Sequence, residues 1–220
     1  MRLNDTEPRP KYKEFYGRNV NEMPKLVADS RVPMSVADIM KKRLEVRNSE
    51  DSELKASWHD TYFDTGDGVL YFPNGDLVVA YDSKALREMN SNSKLVGGAL
   101  DLSNVDLKDV TGQRFTKAQL EKMVLGESLT LEQAKVHPLW IALARDNKLA
   151  SDYAEMVFAE TKERFDYDTN MGVYRDQAGK VPKMRAWVVG WVDGRSGAGG
   201  NYVLDDGSGR LVGVASETRK

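Results

Sequence analysis

The amino-acid sequence predicts an α+β fold: an N-terminal arm and helix, a β-meander, a central helical block, and a C-terminal β-ribbon completing the core sheet. Three observations carry this expectation. Residues 185–192 (Arg-Ala-Trp-Val-Val-Gly-Trp-Val) form the most hydrophobic run of a polar chain. Strand alternation puts Trp187, Val189 and Trp191 on one face and Ala186, Val188 and Val192 on the other, so neither face suits water. Between residues 58 and 81, short β-rich runs are separated by Asp, Asn and Gly clusters. Between 116 and 165, helix-capping patterns follow one another without alternating with strands, which disfavours a doubly wound parallel sheet.

Residues 1–30 hold three of the seven prolines and show no sustained periodicity, yet Tyr12, Phe15 and Tyr16 are too aromatic for a disordered tail. They read as a docking arm. Residues 31–220 read as a single α+β globular domain, with the polar stretch at 47–53 as a candidate boundary. A helix starts at Ser35, capped by the Ser-Val-Ala-Asp run, with Met34 placed to staple against Ile39. Val36, Ile39, Met40, Arg43 and Leu44 make its inward stripe, and Lys41 and Lys42 fall outside.

Residues 58–63, 69–72 and 77–81 are the expected meander, with turns at 64–68 (Asp-Thr-Gly-Asp-Gly) and 73–76 (Pro-Asn-Gly-Asp). The second turn requires positive φ at Gly75. A short helix is expected near 84–89, while 95–110 is apolar without a clear period. Thr116 with Gln119 and Thr130 with Gln133 are capping boxes, the first opening a helix that Gly126 can close. Pro138 suits the first position of a helix reaching 145, and a longer helix is expected over 150–164 with Tyr153, Met156, Val157 and Phe165 inward. The return strand at 211–215 is expected to pair with 185–192 after the turn at 205–209.

Composition narrows the function classes. The chain has 220 residues, 30% of them charged and 40% hydrophobic, with a mean hydropathy of −0.55. This fits a well-solvated globular protein. No run approaches the roughly 18 apolar residues of a membrane span, and the N-terminus lacks a signal-peptide pattern, so the expected location is the cytoplasm. The absence of cysteine removes disulfides, thiolate metal sites and thiol nucleophiles together. Residues 1–47 carry 11 Lys/Arg against 7 Asp/Glu, whereas 48–110 carry 5 against 12, so the arm is expected to lie on the chain's own acidic middle. With a net charge of −2 and a pI near 5.8, a dedicated nucleic-acid binder is not expected.

Residues 194–201 resemble a phosphate-binding loop in glycine spacing but fail where its chemistry sits: Gly200 replaces the lysine and Asn201 the hydroxyl. A milder expectation is a small anionic ligand held by backbone amides with Arg195, Ser196 and Arg210, unless Asp193, Asp205 and Asp206 neutralise the arginines. Asp60, Asp64 and Asp67 beside His59 suggest a hard-metal site, but their spacing misses the calcium-loop register and suits turns better. Glu53-Leu-Lys55 and Asp82-Ser-Lys84 are acidic-x-Lys fragments common by chance. His137 reads as a helix-flanking residue, His59 as a strand-start residue poorly oriented by Asp60, and the four tryptophans as core.

No catalytic residue, metal or cofactor is therefore assigned. The leading expectation is a cytoplasmic, non-enzymatic binding protein. A metal-dependent hydrolase on the acidic meander and a subunit of a protein assembly, docked or self-associated through the arm, are the alternatives.

Overall fold

The computed structural model of the chain describes residues 1–4, 10–108, 110–194 and 196–215. The chain enters through β1 (Tyr12–Tyr16), α1 (Asn19–Ala28) and β2 (Arg31–Pro33), so most of the expected arm is regular structure. Pro24 stands inside α1 and withholds one helical hydrogen bond. Val20, Met23 and Leu26 nevertheless share a buried face, and that burial outweighs the lost bond. Residues 2 and 3 contact the helix at 52–59 and its cap. Leu3 is buried, its carbonyl accepts from Trp58 Nε1 at 3.3 Å, and Arg2 pairs at 2.7 Å with Asp51 of the acidic middle.

α2 (Val36–Val46) opens with the expected cap: the Ser35 side chain accepts from the Asp38 amide, and the Asp38 carboxylate accepts from the Ser35 amide. Val36, Ile39, Met40 and Arg43 are buried as the stripe required. Lys42, expected outside, is buried too. Its stem covers apolar surface while its ammonium reaches Glu45 at 2.6 Å and lies 5.3 Å over the Tyr12 ring. The first meander strand expected over 58–63 does not form: Trp58 and His59 close α3 (Ser52–His59), and the strand begins only at Phe63. Asp51 caps α3 by accepting from the Leu54 amide, and Trp58 lies in its last turn, its ring centroid 5.2 Å from that of Tyr12 and 5.3 Å from that of Phe63.

β3 (Phe63–Tyr71) includes the expected turn at 64–68 as an irregularity in its pairing, where the register with the strand at 183–189 shifts between Asp64 and Gly68, and it pairs with β4 (Leu77–Ala80), which leads into α4 (Lys84–Glu88). Asp64 and Asp67 are buried acceptors within this strand. Asp64 takes Asn19 Nδ2 at 2.7 Å and the Arg210 amide at 2.6 Å; Asp67 takes the Val36 amide at 2.9 Å and the Asp82 amide at 3.0 Å. Gly66 and Gly68 admit close neighbours, since a Cβ there would lie 2.8 Å from Pro33 and 2.8 Å from Met184.

The β3–β4 hairpin turns where the sequence placed it. The Gly75 amide donates to the Phe72 carbonyl at 2.9 Å, and Gly75 has φ of 89°. Replacing Gly75 with valine is expected to destabilise the protein by about 1 kcal/mol or more, because a β-branched residue resists that backbone region. The check is the midpoint of urea unfolding, and an unchanged midpoint would refute it.

The 95–110 segment holds a small hairpin, β5 (Leu95–Val96) and β6 (Ala99–Asp101), before β7 (Gly112–Phe115) pairs with β4. The helical block follows as α5 (Lys117–Leu120), α6 (Leu131–Val136), α7 (Pro138–Ala144) and α8 (Asn147–Phe165). Both threonine capping boxes form and Pro138 takes the first position of α7. α5 is a single turn, leaving Gly126 in the loop beyond it. α8 starts earlier than its apolar stripe, because Asp146 caps it by accepting from the Leu149 amide at 2.6 Å. Among the described residues no helix is long and apolar enough to cross a membrane.

β8 (Val173–Tyr174), β9 (Lys183–Val189), β10 (Ala198–Gly199) and β11 (Arg210–Ala215) complete the sheet, whose main path runs β1-β11-β3-β9-β10-β8. The expected pairing of β9 with β11 does not form: β3 lies between them, antiparallel to β9 and parallel to β11. Its nine residues are all buried, so it competes for the same central position. Alternation then sorts the core. Val69, Val79, Trp187, Val189 and Val212 face α2, α3, α6, α7 and α8, while Leu70, Val78, Met184, Ala186 and Leu211 face α1 and α4. The fold is α+β, with helices on both faces of one mixed sheet.

Candidate functional site

After β9 the chain leaves the sheet at Gly190, returns as β10, and crosses residues 200–209 to reach β11. Between these connections and the start of β3 lies a cleft of about 500 Å³ whose lining includes Tyr62, Asp64, Tyr174, Trp191, Tyr202 and Asp206. The glycine-rich run forms part of its wall. A Cβ on Gly199 would sit 2.4 Å from a Tyr202 ring carbon, and one on Gly197 would sit 3.0 Å from the Tyr174 ring. Neither glycine has positive φ, so glycine serves here to let aromatic rings lie against the backbone.

Tyr62 and Trp191 meet edge to face, with centroids 5.1 Å apart at 67°. The Tyr62 hydroxyl donates to the Ser208 carbonyl, which pins the ring, and burial pushes that phenol up. Asp64 lies at the base of the cleft with 5% of its surface exposed. Burial pushes its carboxyl above the usual range against the pull of the Arg210 amide and the Asn19 side chain, and the charge on Asp206 adds to the rise. Asp206 itself is exposed. The hydroxyl and amide of Ser208 donate to it at 2.6 and 2.8 Å and hold its carboxyl below the usual range.

Of the residues expected to hold an anion, Arg195 lies outside the described residues. Ser196 is buried; its hydroxyl donates to the Trp191 carbonyl and its amide to Asn170 Oδ1 at 3.1 Å. Arg210 stands at the start of β11 with Nε 2.8 Å from Glu14, its guanidinium 5.0 Å over Tyr16 and 5.1 Å over Tyr62. Neither Ser196 nor Arg210 lines the cleft. Two amides of the glycine-rich run are also engaged: Ala198 donates to the Gly172 carbonyl at 2.9 Å and Gly200 to the Tyr174 carbonyl at 2.7 Å. An anion-cradling nest needs such amides free. The described lining carries two carboxylates and no Lys or Arg, opposite in sign to the anionic-ligand expectation.

The acidic set diverges. Asp60 pairs with Arg164 at 2.8 Å, Asp64 turns to Asn19, and Asp67 pairs with Arg145 at 2.5 Å. Among the described residues no three His, Asp or Glu side chains converge as a metal would need. His59 ends a helix, not a strand, and is buried with Nδ1 3.2 Å from Glu160 and Nε2 3.0 Å from the Arg43 carbonyl. Burial pushes the Glu160 carboxyl up, but His59 and Lys55 outweigh it and hold it at about 2. Lys55 of the first acidic-x-Lys fragment is thus committed to Glu160 at 3.1 Å, and Lys84 of the second reaches Glu88 at 3.7 Å. His137 flanks α7 as read, with Nε2 3.1 Å from the Val124 carbonyl. Trp58, Trp140 and Trp187 are core, whereas Trp191 reaches the cleft. The tyrosines of the cleft escaped sequence reasoning; the available signal was their position in or beside Gly-, Asn- and Asp-rich connections.

The sheet, its flanking helices and a cleft formed by the last connections define an α+β scaffold that presents a loop-built site. No family model matches the sequence, and no curated protein matches it. A solved structure concerning the accommodation of massive sequence variation in Nanoarchaeota by the C-type lectin fold is similar to this chain with a TM-score of 0.66 and 21% identity, covering 94% of this chain and 99% of that one. The likeness shows the fold: the chain has the C-type lectin fold.

Proposed function

We propose that the chain is a non-enzymatic binding protein whose recognition surface is the cleft between the β9–β10 and β10–β11 connections. The observation that carries this reading is a concave site of about 500 Å³ walled by tyrosines and a tryptophan on a hydrogen-bonded sheet. Tyr and Gly make up half of its lining, with Trp191, Asn201 and Ser208 beside them, and recognition loops favour such residues because aromatic rings give area at low entropic cost and small residues adapt. Neither histidine lines it. The solved neighbour concerns a fold that accommodates massive sequence variation, which supports placing recognition on side chains that can change while the sheet holds.

The test is a titration of the ¹⁵N-labelled protein with a fragment and short-peptide collection spanning positive, neutral and negative members. Binders are expected to shift the amides of Gly197, Gly199, Tyr202 and Asp206. Tyr202→Ala is expected to weaken them about tenfold without lowering the melting temperature, since Tyr202 is 56% exposed. Gly199→Ala, whose new methyl meets that movable ring, is expected to alter affinity while the fold persists. Binders whose shifts all map elsewhere would overturn the proposal.

A further inference from the structure

Resting on the reading of the cleft as a binding site, we infer that its ligand presents an alkylammonium or guanidinium group, seated among the rings of Tyr62, Tyr174 and Tyr202 and the carboxylates of Asp64 and Asp206. The chain contains its own precedent next door. The Arg210 guanidinium is gripped by the rings of Tyr16 and Tyr62 at 5.0 and 5.1 Å, with the Glu14 carboxylate at 2.8 Å from its Nε. The cleft shares the Tyr62 ring with that pair and adds the rings of Tyr174 and Tyr202 and the carboxylates of Asp64 and Asp206, with no Lys or Arg among its described lining residues.

The electrostatics agree. Asp64 is nine-tenths buried, and the donors recorded on it are neutral: the Asn19 amide group and the Arg210 backbone amide. A bound cation would supply the counter-charge that favours the ionised form of Asp64 against its burial, and the exposed Asp206, whose carboxyl is held below the usual range, offers a carboxylate beside it. Tyrosine faces attract cations through the ring quadrupole, and a ligand ammonium or guanidinium is more readily desolvated there than in open water. An anion would face two carboxylates and backbone amides already bonded within the sheet.

Such a group could belong to a small free amine or to a Lys or Arg side chain on another protein, and the probes separate the two. Amide shifts are followed on addition of n-butylammonium, N-acetyl-arginine amide, a capped Gly-Gly-Arg-Gly-Gly peptide, N-acetyl-citrulline amide as the neutral isostere, and inorganic phosphate. The cationic probes are expected to shift Gly199, Tyr202 and Asp206 and to bind at least about fivefold tighter than citrulline, with affinity falling as salt rises. Asp206→Asn is expected to lose about threefold to tenfold for the cations and little for citrulline, because asparagine keeps the oxygen that accepts from Ser208. Tighter binding of the peptide than of the arginine amide assigns the source to a protein side chain, and equal binding assigns it to a small amine.

Citrulline binding as well as arginine, or phosphate shifting the cleft while the cations do not, overturns the cationic class and leaves the cleft as a binding site. If neither these probes nor any member of the wider collection shifts the cleft amides, both readings fall.

Discussion

Arg43→Ala is expected to cost about 4 kcal/mol of stability, a large fraction of what a domain of this size possesses. Arg43 is fully buried on the inward face of α2, yet among the described residues no carboxylate pairs with it. Its guanidinium is spent on three oxygens: Nε donates to the Trp58 carbonyl at 2.8 Å, Nη2 to the Thr61 carbonyl at 2.7 Å, and Nη1 to the Tyr153 hydroxyl at 2.6 Å. One side chain thus joins α2, the C-terminus of α3, the entry to β3 and the middle of α8. Alanine would strand those acceptors in the core and leave a cavity. Arg43→Lys should recover only part of the loss, because one ammonium cannot span the three directions of a planar fork. Urea unfolding monitored by tryptophan fluorescence measures both, and a loss below about 1 kcal/mol for alanine would show that the network relaxes without it.

Asp67→Ala is expected to cost about 3 kcal/mol, while Asp67→Asn costs less. The carboxylate has no exposed surface and accepts from the first amide of α2 at Val36, from the amide of Asp82, and from Arg145 at 2.5 Å. Asp82 holds a positive φ of 46° and Arg145 one of 60°, so two strained backbone positions converge on this anchor. Alanine would leave the buried Val36 amide and the part-buried Asp82 amide without this acceptor. Asparagine keeps one acceptor oxygen, which makes it the control for packing alone. The same unfolding experiment decides the matter, and equal losses for both variants would assign the effect to charge.

Much of the local structure was legible in the sequence because local chemistry sets it. The capping boxes at Ser35, Thr116 and Thr130, Pro138 opening α7 and the left-handed Gly75 all depend on residues within a few positions. Arg43 could be placed on the inward stripe of α2 by period alone. The strand order could not be read, since the insertion of β3 between β9 and β11 is settled by long-range competition for the centre. Asp64 and Asp67 were obscured because surface turns and buried backbone acceptors select the same residue types. The glycine-rich connection posed the same difficulty: a glycine that frees amides for an anion and one that makes room for a tyrosine ring look alike in sequence. The wall of the cleft uses Gly197 and Gly199, not Ser196 or Arg210.

The place of β11 between β1 and β3 has a consequence for biosynthesis. β1 is synthesised well before its ladder partner, in which Val214 faces Tyr12, and every other described strand and helix of the fold lies between the two in the chain. Until then β1 lacks its ladder, and α1 can cover the faces of β3, β4 and β9 but not that of β11. β1 therefore has no strand to pair with while the sheet's centre is being made, and β11 ties it to β3 only after both already exist.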